Sequence, residues 1–107
     1  MEQATSQRMQ QLQRMLEREP NDPFLLYGLA LEYKKGNDPQ KAIEFLDRVI
    51  GVDPLYCYAY HQRGMIYESL GDLESAKRSY RDGMEAATRK GDAHARGEIE
   101  GALSMIE

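Results

Sequence analysis

The most regular apolar stripe in the chain is in "QKAIEFLDRVI", where Ala42, Ile43, Leu46, Val49 and Ile50 recur at the spacing of one helix face. Asp38 and Pro39 supply its start, and "GVDP" stops it. The segment before it opens at "NDP", with Asp22 as cap and Pro23 in the first turn. It runs through Lys35 to Gly36 or Asn37, either of which can take the left-handed conformation that ends a helix. The same order then returns: a start at Asp53–Pro54, a break at Gly71–Asp72, and the long segment "LESAKRSYRDGMEAATRK". Glu74 and Arg78 fall there at i, i+4 in the favourable orientation.

Both ends also read as amphipathic helices. One spans about Thr5 to Glu19, with Met9, Leu12, Met15 and Leu16 on one side and glutamines from Gln3 to Gln13 on a solvated one. Its first few residues are expected to fray. The other places Ile99, Leu103 and Ile106 beside Ala95 and Ala102. The fold class is therefore all-α, with six helices.

One stretch argues the other way. In "LYCYAY", Tyr56, Tyr58 and Tyr60 alternate with Leu55, Cys57 and Ala59, the period of a half-buried strand. A self-match decides against the strand. Shifted by 34 residues, Pro20 falls on Pro54, Tyr33 on Tyr67, Asp38 on Asp72 and Ala42 on Ala76. Glu19/Asp53, Ala30/Gly64, Leu46/Tyr80 and Ile50/Met84 are conservative pairs in the same register. The tyrosine segment lies in the second copy of a helix–turn–helix unit.

These residues resemble tetratricopeptide repeats. A small residue (Ala30, Gly64) precedes an aromatic (Tyr33, Tyr67) by three; a Gly/Asn–Asp turn follows, then a small residue (Ala42, Ala76) and a large one a turn later (Leu46, Tyr80). The resemblance covers roughly residues 23–88. Gly83 stands where Ala is usual, and "AATRKG" lacks the usual Pro, so the second copy's last helix is expected to run longer. The resemblance implies a right-handed α-α superhelix with repeats at 20–53 and 54–90, an N-terminal capping helix at 1–19 and a C-terminal one at 91–107.

Composition sharpens this. A net charge of −4, from 14 basic and 18 acidic residues, disfavours nucleic-acid and anionic-membrane binding. No apolar run is long enough to span a bilayer, and the N-terminus lacks the apolar region of a secretory signal. A single cysteine, Cys57, fits a reducing compartment, so the cytoplasm is expected.

Projected on a helix, the second copy sorts into faces. Tyr56, Tyr60, Arg63, Gly64 and Tyr67 turn to the partner helix; Ala59, Ile66 and Leu70 share another side; Tyr58, His61, Met65 and Glu68 share a third, with Gln62 beside them. Phe24, Tyr27, Leu31 and Lys34 are their equivalents in the first copy. The resemblance implies that this face lines a concave groove where a peptide or helix of another protein binds. Burial against a second copy of the chain, or under the closing helix, stays open. The family's carboxylate clamp needs Lys, Asn and Arg where this chain has Tyr27, Leu31 and Gln62, so it is not expected.

Other chemistry finds little support. Cys57 and His61 stand at i, i+4 without a third ligand, so neither metal nor cofactor is expected. His94 is expected to cap or pack near the start of the last helix. Gly97 and Gly101 would allow close packing on the helix before. Arg89, Lys90 and Arg96 read as a helix C-terminus, where cations are favourable. No nucleophile, base and carboxylate share a recognisable spacing, so an enzyme is not expected.

Overall fold

A computed structural model describes residues 6–107. The expected fraying of the first residues falls outside that range. The described residues form six α-helices in two compact units, one through Val52 and one from Asp53.

The first unit holds α1 (Gln7–Arg18), α2 (Pro23–Lys35) and α3 (Pro39–Val52). Ser6 caps α1, its hydroxyl accepting the amide of Met9 at 2.9 Å, and also donates to Glu32 on α2 at 2.9 Å. Buried Leu12 packs with Leu25 and Leu29 of α2, and Phe45 of α3 joins the same cluster beside Met9 and Leu16. Gly28 lets α1 come near: a β-carbon there would lie 3.2 Å from a Leu12 methyl. Met15, expected on the apolar side, is instead 52% exposed. It is three residues beyond Leu12, about 300° round the helix, and Leu16 takes the inward position.

Asp22 caps α2, accepting the Phe24 amide at 2.9 Å, and Pro23 occupies the first turn as expected. After Gly36 it is Asn37 that adopts φ 63°, reversing the chain into α3. Leu26, Ala30, Ala42, Leu46 and Val49 are fully buried, while Tyr33 stacks on Phe45 with centroids 5.4 Å apart.

The second unit holds α4 (Cys57–Ser69), α5 (Leu73–Lys90) and α6 (Ala93–Ser104). Its first helix does not begin at Asp53–Pro54. Asp53 accepts the Leu55 amide on its side chain and the Tyr56 amide on its carbonyl, a turn that places Tyr56 at the N-cap, outside the helix. The 34-residue register already held this answer: α2 starts at Pro23 and α4 at Cys57, while Pro54 matches Pro20 in the preceding turn. The expected longer α5 is present. It ends at Lys90 with Gly91 left-handed at φ 77°, and Asp92 caps α6 by accepting the Ala95 amide. At its start, Glu74 pairs with Lys77 at 3.7 Å rather than with Arg78.

The core of this unit joins Cys57, Ala76, Tyr80, Ala87, Ala95, Ile99 and Leu103, so all three helices contribute. The closing helix buries the expected stripe. Gly97 and Gly101 do not pack on α5: a β-carbon on either would meet nothing within 4 Å. Ala95, Ile99 and Leu103 hold the inward side, and both glycines lie on the solvent side of α6. Leu70 is exposed, because it is the C-cap residue and follows the last turn of α4.

Candidate functional site

Each repeat presents its first helix, α2 in the first unit and α4 in the second, with a face that carries the predicted residues. In the first, Phe24 is 64% exposed in the opening turn of α2, and Tyr27, Leu31 and Lys34 follow half-buried. Pro23 and the Asp22 cap hold the backbone under Phe24, so the ring is displayed from a rigid start rather than a frayed one. Burial lowers the pKa of Lys34 from its ordinary 10.5, because part of its stem and ammonium is withdrawn from water.

In the second unit, Tyr58 and Met65 are 38% and 40% exposed, with His61, Gln62 and Glu68 half-buried along the same helix. The surroundings of these residues depend on Tyr80 of α5. Its ring lies where Gly64 has no side chain, it packs against the His61 ring in a T-shaped arrangement with centroids 5.9 Å apart, and its hydroxyl donates to Glu68. His61 and Glu68 are thus seated from below by one fully buried aromatic. The buried hydroxyl, desolvated and bonded to a carboxylate, has its pKa driven well above the ordinary 10.0.

The closing helix touches this face at one end. The Tyr58 hydroxyl donates to Glu98 at 3.4 Å, and His94 pairs with the same carboxylate at 3.2 Å. His94 neither caps nor packs; it is 81% of its side chain in solvent, and Asp92 is the cap. The Tyr58 pKa rises through desolvation first, then through the charges of Glu98 and Asp92. Met65, two turns further on, keeps its exposure.

On the side turned to α5, Tyr60 and Arg63 behave as their helical positions imply. The Tyr60 hydroxyl donates to the Pro54 carbonyl at 2.7 Å, and Arg63 donates from Nε to Ser79 at 3.0 Å while its guanidinium lies over the Tyr60 ring. Cys57 is buried in the core, its thiol donating to the Leu55 carbonyl at 3.4 Å; burial pushes its pKa up. His61 faces Tyr80, and among the described residues no three potential ligands converge on a metal site. Sequence reasoning missed two residues that shape this face, Tyr80 and Glu98. Tyr80 was visible as the large residue a turn after Ala76, but its reach to Glu68 and His61 depends on how α4 and α5 pack.

Two helical hairpins built to one register, each with a small residue on the first helix and a large one on the second, define a helical-repeat protein. The tetratricopeptide-repeat family model matches residues 25–54 and 58–90, and the chain belongs to that family. A TPR repeat-containing protein of Pseudomonas aeruginosa is 29% identical over 96 residues, covering 90% of this chain and 91% of its own length. The heat-shock-cognate co-chaperone sgt12 of Aspergillus fumigatus is 33% identical over 73% of this chain, which spans only 23% of that protein. Among solved structures, a tetratricopeptide repeat domain protein of Salinibacter ruber matches with TM-score 0.78 at 31% identity, covering 82% of this chain and 89% of its own. A Bordetella parapertussis protein matches in fold, with TM-score 0.82 at 22% identity over 95% of this chain and 89% of its own. The family and fold are those of a protein-interaction module. No described helix is long and apolar enough to cross a membrane.

Proposed function

We propose that this protein works in the cytoplasm by binding a peptide or helical segment of another protein on the outward first-helix faces of its two repeats. The observation that carries the reading is the exposure of Tyr58 and Met65 on a face where His61 and Glu68 are held from beneath by Tyr80. Large apolar side chains displayed on rigid backbone lose little entropy when a ligand covers them, and such displays mark interaction surfaces. Phe24, Tyr27, Leu31 and Lys34 extend the same chemistry to the first repeat, and Tyr58, His61, Gln62, Met65 and Glu68 supply it in the second. The co-chaperone relative supports a binding role, with the partner's identity left to experiment.

The test is a pull-down from source lysate with wild type and a Tyr58→Ala/Met65→Ser double variant, each checked for folding by circular dichroism. A folded variant that loses a partner retained by the wild type supports the proposal. An unfolded variant would show that these two residues are core and sink it. Light scattering behind a sizing column separates the remaining case: a dimer split by the same substitutions would make the occupant a second copy of the chain.

A further inference from the structure

A second surface of opposite chemistry lies on the other side of α6. Arg96 and Glu98 are two residues apart, about 200° round the helix, so they face opposite ways. Glu98 reaches Tyr58, whereas Arg96 edges a cleft of about 670 Å³ between α5 and α6. Half-buried Met84 and the exposed edge of core residue Leu103 form the apolar part of the cleft, and Arg81 and Arg89 complete its rim, with Glu85 and Thr88 between them.

Three arginines against two glutamates, Glu85 in the cleft and Glu107 on Arg81, leave a local positive excess in a chain with 14 basic and 18 acidic residues. Their hydrocarbon stems widen the apolar surface while the guanidinia stay in water. The groups that currently meet these guanidinia are oxygen acceptors: Glu107 on Arg81 at 2.8 Å, Glu85 on Arg89 at 3.1 Å, and the Thr88 hydroxyl on Arg96. Both ion pairs are more than half in solvent at the arginine, where exchange for another carboxylate costs little. The first unit shows what fits a seam between two helices, since Phe45 of a third helix packs onto the Leu12–Leu25–Leu29 cluster of α1 and α2. Arg81 to Arg89 spans about 12 Å along α5, or two turns of an occupying helix.

We propose that the α5–α6 cleft takes an amphipathic helix of a partner protein whose apolar stripe is flanked by carboxylates. The stripe covers Met84 and Leu103, and the carboxylates meet Arg81, Arg89 and Arg96. Glu107 competes for Arg81 and tunes the affinity. This surface is independent of the Tyr58–Met65 face.

The experiment uses two synthetic helical peptides with one leucine stripe, flanked by glutamates in one and by lysines in the other. Binding is read by fluorescence anisotropy at low salt, and the site by methyl NMR of Met84 and Leu103, with Met65 as the control. The glutamate peptide is expected to shift Met84 and Leu103 but not Met65 in wild type, and to shift Met84 and Leu103 equally in the Tyr58→Ala/Met65→Ser variant. Arg81→Gln/Arg89→Gln/Arg96→Gln, with folding checked by circular dichroism, is expected to weaken it about tenfold, the sum of three exposed pairs. Glu107→Gln is expected to strengthen it about threefold. If the triple variant fails to fold, Arg89→Gln alone is expected to weaken binding about twofold. Equal binding of the lysine peptide, shifts centred on Met65, unchanged affinity in the arginine variants, or no shift at millimolar glutamate peptide would each overturn the proposal. So would a peptide-free dimer whose interface already occupies Met84 and Leu103.

Discussion

The ring of Tyr80 lies directly against the α-carbon of Gly64. A β-carbon at position 64 would approach Cδ1 of Tyr80 to 2.6 Å and Cζ to 2.8 Å, well inside van der Waals contact. Tyr80 is fully buried and cannot swing out without opening the core of the second unit. Gly64→Ala is therefore expected to destabilise the protein by about 1–3 kcal/mol despite alanine's better helix propensity. Urea denaturation of the two proteins measures it, and an unchanged or raised midpoint would contradict the geometry.

Gly97 and Gly101 predict the opposite outcome. Both are inside α6 with open space at the β-carbon position. Alanine at either is expected to stabilise by about 0.5–1 kcal/mol, since it restricts the unfolded chain and meets no obstacle. A loss of stability at either site would place a neighbour there.

Alkaline pH acts on buried protons. The folded-state pKa values of Tyr80, Tyr60, Tyr58 and Cys57 are all raised, Tyr80 by burial and its bond to Glu68, and Cys57 by burial. Folding favours the protonated form of each, so the unfolded chain loses its protons first. Stability is then complete below the ordinary values of 9.0 for the thiol and 10.0 for the phenols, and falls as pH climbs toward the raised folded values. Denaturant midpoints above pH 9 check this, and Tyr80→Phe is expected to flatten the decline. The same variant loses one buried hydrogen bond, at a cost of about 0.5–1.5 kcal/mol at neutral pH.

Cys57 should be chemically quiet. Its thiol is buried in the core and its pKa is raised, so little thiolate is present near neutrality and reagent cannot reach it. Reaction with a disulfide reagent is expected only through unfolding, at a rate that rises with urea. Prompt labelling of the native protein would mean that α6 leaves its place readily.

Phe24 tests the first repeat without disturbing it. With most of its ring in solvent, Phe24→Ser is expected to change stability by less than about 0.5 kcal/mol while weakening capture of the partner. A marked loss of stability would show the ring to be a packing residue.

Several features were readable because they follow from short-range chemistry. The Asp22 cap, a left-handed turn at Gly36 or Asn37, the stripe of α3 and the longer α5 each rest on residues within a turn or two of one another. The start of α4 was misplaced because Asp–Pro serves equally well in a turn. Only the shared register with Pro20 separated the two uses. Tyr56, Tyr58 and Tyr60 accordingly divide three ways: an N-cap position, an exposed face and the core.

By itself the sequence determined the repeat, the helix count and the order of small and large residues within each copy, such as Ala76 followed by Tyr80. Each of these is a matter of period and side-chain size. Tertiary structure alone decided which oxygen meets which donor. Glu98 came to Tyr58, Tyr80 seated His61 and Glu68, and Arg81, Arg89 and Arg96 gathered round one cleft because α4, α5 and α6 pack on one another at particular angles and rotations. The glycines of α6 fell on the solvent side for the same reason. Three larger residues, Ala95, Ile99 and Leu103, bury more surface and so fix which side of that helix turns inward.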